Sequence, residues 1–97
     1  MPKQSAAQKA TIGRVMHEFK HDELQSSTGA KVKNPKQAIA IALHEAGATR
    51  DASPAKNRQN LAKTKSKERR GETAQAETEG KAAQDKTLHK RAGAPKS

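Results

Sequence analysis

Large apolar side chains are confined almost wholly to one half of this chain. Leaving Ala aside, residues 1–50 carry ten of them: Met1, Ile12, Val15, Met16, Phe19, Leu24, Val32, Ile39, Ile41 and Leu43. Residues 51–97 carry two, Leu61 and Leu88. Each fully buried group of this kind is worth about 1.5–3 kcal/mol, so a core is expected in the first half only. In a chain of 97 residues such a core is small, and short chains bury too little surface to offset the entropy of ordering. A partner or a dimer contact is expected to help hold it.

Spacing assigns the first half to two helices. Ser5 is an N-cap residue, and Ile12, Val15, Met16 and Phe19 follow at i, i+3, i+4 and i+7 on one helical face. Arg14, Glu18, His21 and Asp22 fall on the other side. Glu18 and Asp22 put negative charge where the helix dipole opposes it, so the end should fray near residues 22–25. QSSTGAKVK (25–33) is a polar connector, across which Leu24 and Val32 could meet. Asn34, Pro35 and Gln37 mark a second start, and Gly47 marks its stop. Between them Ile39, Ala42, Leu43 and Ala46 form a stripe, with Ile41 off it and exposed in a monomer.

The expected fold is therefore all-α. Residues 1–4 are a disordered N-terminus, residues 5–47 a helical hairpin, and residues 48–97 a basic low-complexity tail. The tail favours helix near 57–70 and 72–91 but has no apolar face, so it should be largely disordered or weakly helical.

Several function classes are excluded. With no Cys, disulfides and Cys-based zinc sites are ruled out. No apolar run approaches the ~20 residues of a membrane span, and the N-terminus lacks a signal-peptide core. HDEL at 21–24 is internal, whereas retention signals of that form act at the C-terminus. A cytoplasmic protein without membrane contact is expected. There is no Gly-rich phosphate loop and no Ser/His/Asp arrangement, so neither cofactor nor enzymatic activity is expected.

Charge points to a partner. Lys plus Arg number 20 against 10 acidic residues, a net +10. The run KTKSKERR supplies Lys63, Lys65, Lys67, Arg69 and Arg70, with Lys90 and Arg91 beyond it. Lys31, Lys33 and Lys36 add a patch before the second helix. These cations can neutralise phosphates and release counterions, which gives salt-sensitive, sequence-blind nucleic-acid binding. No aromatic residue lies in the tail, so base stacking is not expected there. The rival is a protein-interaction or dimerisation module that uses Ile39, Ile41 and Leu43.

HEFKH (17–21) matches the zinc-protease pattern H-E-x-x-H, with Glu18 as the general base. His17 and His21 share a helical face at i, i+4 and could hold one metal ion. The third ligand would have to come from the second helix, where His44 and Glu45 carry no supporting signature. A two-helix hairpin also offers no cleft. Metal binding by His17, His21 and perhaps His44 ranks third among the readings, and catalysis below it. Glu18, Asp22, Glu23 and Glu45 are read as too exposed for acid–base tuning.

The block VMHEFKHDELQSSTGAKVKNPKQAIAIALHEAG (15–47) resembles a family of short basic bacterial proteins classed as a domain of unknown function. Its members share VMHEFK…L.S..G..VK…KQAIAIAL.EA. The resemblance covers about a third of the chain and implies a bacterial, cytoplasmic protein with a compact N-terminal module and a variable basic tail. It implies no activity. Position 21 is not tied to His in that block, and His44 stands where Ser is expected.

Overall fold

The computed structural model describes residues 5–26 and 28–91. It is helical throughout, in the order α1 (Ala6–Lys20), α2 (Pro35–Ala46), α3 (Pro54–Arg70), α4 (Ala74–Glu79) and α5 (Lys81–Arg91). The termini follow local chemistry. Ser5 and Gln8 form a reciprocal capping box on α1. Asn34 caps α2 through the Lys36 N–H, with Pro35 opening the helix. Ser53 and Pro54 repeat that device on α3, and Thr73 caps α4.

Gly47 ends α2 at φ 66, where a Cβ would stand 2.1 Å from the Asn57 carbonyl oxygen. Only glycine lets the first turn of α3 cross so close to the end of α2.

α1 is the centre of the fold. It packs against α2, α4 and α5, while α3 lies on α2. The apolar core holds Val15, Leu24, Val32, Ala38 and Ala42, with Ile12, Met16, Phe19 and Ile41 against it. Leu24 and Val32 do meet: the Val32 N–H donates to the Leu24 carbonyl at 2.9 Å. The end of α1 is held rather than frayed. The N–H groups of Glu23 and Leu24 donate to the Glu18 carbonyl, and Lys31 and Lys33 bind Asp22 at 2.6 and 2.8 Å. Lys33 also holds the Asp22 carboxyl below its usual range.

The inner stripe of α2 differs from the expected one. Ala38, Ala42 and Ala46 are fully buried and Ile41 joins the core, whereas Ile39 is 49% exposed. Three alanines in line let α1 approach α2 closely, and this turns Ile39 outward.

The expectation of a largely disordered or weakly helical tail is corrected over the described residues. α3, α4 and α5 dock through polar rather than apolar side chains. Thr64, Glu68, Thr73, Gln75 and Gln84 are buried together with Thr11, Arg14 and Glu18 of α1. The Arg14 guanidinium donates to Glu18 and Glu45 at 2.6 Å each and to Glu68 at 2.9 Å, tying α1, α2 and α3 to one side chain. Thr11 donates to Glu68 at 2.8 Å, and the Gln75 N–H donates to Glu18 at 2.9 Å. Gln84 bonds the Glu68 carbonyl and accepts from Thr73. These hydrogen bonds offset much of the cost of burying the groups, although Gln75 Oε1 is buried with no partner among the described residues. The Cα radius of gyration, 12.7 Å, matches the about 12.5 Å of a folded chain of this length.

Candidate functional site

The fold sorts charge between inside and outside. Three of the ten acidic residues, Glu18, Glu23 and Glu68, are buried, against Arg14 as the one buried cation among the described residues. The surface is therefore more positive than the composition alone implies.

α3 concentrates that excess. It carries Lys56, Arg58, Lys63, Lys65, Lys67, Arg69 and Arg70, and its one acidic residue, Glu68, faces inward. At about 100° per residue, Lys56, Lys63, Lys67 and Arg70 fall within about 60° of one another, and Arg58, Lys65 and Arg69 fall on the opposite flank. Thr64 and Glu68 lie between the two rows on the buried side. The first row extends about 21 Å at 1.5 Å per residue.

Two of these cations are engaged. Lys65 reaches Glu68 at 2.9 Å, and Arg70 pairs with Glu72 at 3.0 Å. The Arg70 pair is exposed on both sides, and such pairs contribute little and exchange readily. Lys56 and Arg58 belong to this surface although they precede the KTKSKERR run. The signal for them was the N-cap pair Ser53–Pro54, which starts the helix early enough to include them. Of the expected second patch, Lys31, Lys33 and Lys36 are all exposed; Lys31 and Lys33 reach Asp22, the Lys33 pair being as open to solvent as that of Arg70. The side chains of Lys90 and Arg91 lie outside the described residues, as do residues 1–4.

The interaction face changes composition. Ile39 is its exposed member, Leu43 is half-buried, and Ile41 belongs to the core. This reverses the expected roles of Ile39 and Ile41.

The histidines also separate. His17 and His21 stack with ring centroids 4.2 Å apart and planes at 29°. Their third neighbour comes from α4: His17 Nε2 lies 2.8 Å from Glu79 Oε2. One ligand atom from each of His17, His21 and Glu79 fits within 4.8 Å of the others. His44 stands elsewhere, lining a groove of about 510 Å³ between α2 and α3 with Gln37, Ala40, Ile41 and Lys67. Glu18 is not positioned as a general base for that cluster, because Arg14 and the Gln75 N–H hold its carboxylate inside the fold.

Carboxyl titration follows the burial. Desolvation raises Glu18 above its ordinary value even though Arg14 opposes this. Burial would weaken Arg14 as a base, but Glu18, Glu45 and Glu68 outweigh it, and the guanidinium stays charged. Glu23 is pushed up to about 8 by burial and by its hydrogen bond to Glu79. Glu79 is lowered to about 2 by that same bond and by His17. The expectation that these carboxylates are too exposed for tuning is corrected for Glu18 and Glu23.

Among the described residues, no helix is long and apolar enough to cross a membrane. Comparison with curated proteins and with solved structures gives no match. Residues 3–57, which contain α1, α2 and the first turn of α3, match the family of unknown function DUF6496, and the chain belongs to that family.

Proposed function

We propose that this protein is a non-enzymatic accessory factor that binds nucleic acid through its charge, with α3 as the principal contact. The observation that carries the reading is the outer surface of α3, which presents six exposed cations while its single carboxylate, Glu68, is buried with Lys65 upon it. A row about 21 Å long can run beside several phosphates, since each strand of B-DNA carries one for about every 3.4 Å of helix axis. Released counterions then drive binding, and no side chain is arranged to read base edges.

The test is a fluorescence titration of two duplexes of unrelated sequence, at about 50 and 200 mM salt. Four phosphate contacts imply an affinity loss of about 150-fold across that range, equal for both duplexes. The Lys63→Ala, Lys67→Ala double variant should reduce the salt slope by about two. Absence of binding at 50 mM salt, or an unchanged slope in the variant, would overturn the reading.

A second reading is self-association through Ile39, supported by its exposure. Sedimentation showing a salt-independent dimer that Ile39→Lys dissociates would favour it.

A further inference from the structure

The stretch HEFKH gains in three dimensions the partner it lacks in sequence. His17 stands in the last turn of α1 and His21 is the residue that caps its C-terminus, and Glu79, the last residue of α4, reaches them from 62 positions beyond His17. The three donors lie within 4.8 Å of one another. Donors on a tetrahedral zinc ion are about 3.3 Å apart, given bonds of about 2.0–2.1 Å. The His17–Glu79 pair is already inside that distance, at 2.8 Å. The remaining adjustment, up to about 1.5 Å, falls mainly on His21, an exposed side chain, because His17 and Gln75 already hold Glu79.

An ordinary His–Glu hydrogen bond accounts for His17 and Glu79 but leaves two features over. The first is the His21 ring, stacked on His17 with no hydrogen bond of its own among the described residues. The second is Glu23, which is only 8% exposed, faces Glu79, and has its Oε1 buried with no partner among the described residues. A buried carboxyl oxygen without a partner carries an unrecovered desolvation cost and calls for an explanation. Glu23 adjoins the three donors through Glu79 and is not itself one of them.

We propose that His17, His21 and Glu79 bind a divalent cation of the zinc class, with Glu23 supporting Glu79 from the buried side. Two imidazoles and a carboxylate suit such an ion and do not suit calcium or magnesium, which take oxygen ligands. The site joins α4 to α1, so metal would lock the C-terminal helices onto the family-matched N-terminal part. Glu23 acts here as a positioning residue, in the manner of groups that orient metal ligands from behind.

The test uses the untagged full chain, stripped with chelator and kept free of nucleic acid. Zinc chloride is titrated by calorimetry, and cobalt(II) is added separately for its visible spectrum. The expected result is one saturable zinc site per chain, a rise in thermal midpoint on zinc addition, and a tetrahedral cobalt spectrum. His21→Ala and Glu79→Gln should each weaken zinc at least about tenfold and abolish the cobalt bands, while His44→Ala, away from the cluster, leaves both unchanged. His21 is exposed, so the metal-free His21→Ala variant should melt where the wild type does. No saturable zinc binding, or binding that survives both His21→Ala and Glu79→Gln, would overturn the proposal.

Discussion

Arg14 and Glu68 are 54 positions apart in sequence and 2.9 Å apart in the fold, with both side chains almost wholly buried. The pair is the main fastening of α3 to α1, since Thr11 converges on the same Glu68 oxygen. Glu68→Ala removes the carboxylate and leaves Arg14 less compensated in a site already closed to water. Breaking one side of a buried ion pair typically costs about 3–5 kcal/mol. Because Glu18 and Glu45 remain on Arg14, the lower end, about 3 kcal/mol, is expected. Urea denaturation would measure it, with exposed Glu77→Ala as a control expected within about 0.5 kcal/mol. Equal midpoints for the two variants would show that Arg14 does not fasten the second half of the chain.

Ile39 and Ile41 make opposite predictions although they are the same residue type two positions apart. Ile41 packs on the core and Ile39 is half-exposed. Ile41→Ala should cost about 2 kcal/mol, the lower end for a core isoleucine that is only partly buried. Ile39→Ala should stay within about 0.5 kcal/mol. Thermal melts of the two variants at equal concentration would decide this, and a larger loss for Ile39 would mean that its face is covered in solution by a second copy.

The helix boundaries of the first half were legible because capping chemistry is local. Ser5, Asn34–Pro35 and Gly47 each act within a few residues of themselves. Ser53–Pro54 and Gly71 use the same grammar on α3, yet the stretch reads as turn-rich when its helix shows no apolar stripe. The docking of α3 to α5 was not legible for a related reason. Hydrophobic periodicity detects apolar faces, and the faces that meet here are Thr64, Glu68, Thr73, Gln75 and Gln84. Nothing in the spacing of these residues separates a buried hydrogen-bonding row from a solvated one. The same limit holds for α1, whose apolar stripe is legible in the spacing while Arg14 and Glu18, on its polar flank, are buried. It applied again to Glu79, which meets His17 only because α4 folds back on α1.

Glu23 and Glu79 act as a pair holding one proton, and this fixes the sign of a pH effect. In the unfolded chain Glu23 loses its proton near the ordinary 4.5, whereas in the fold it keeps it to about 8. Burial is the first cause. The Glu79 carboxylate is the second, Glu18 adds to it, and Lys31 opposes. Between those pH values the native state binds more protons than the unfolded one, so stability falls as pH rises. Glu79 works in the other direction: its value of about 2 means that its contribution grows from pH 2 to 4.5 and is retained above. The pair thus places a stability maximum near pH 4.5 and a decline toward pH 8, and the raised Glu18 acts in the same direction as Glu23. Glu23→Gln keeps a hydrogen-bond donor facing Glu79 and removes the titration. Urea midpoints at pH 5, 6, 7 and 8, taken in chelator, should fall for the wild type and stay flatter for Glu23→Gln, with the variant more stable at pH 8. Parallel declines in the two proteins would show that the proton resides elsewhere. A variant less stable at every pH would show that Glu23 is held as a carboxylate, because replacing an ionised and satisfied group forfeits its contacts, whereas replacing a protonated one does not.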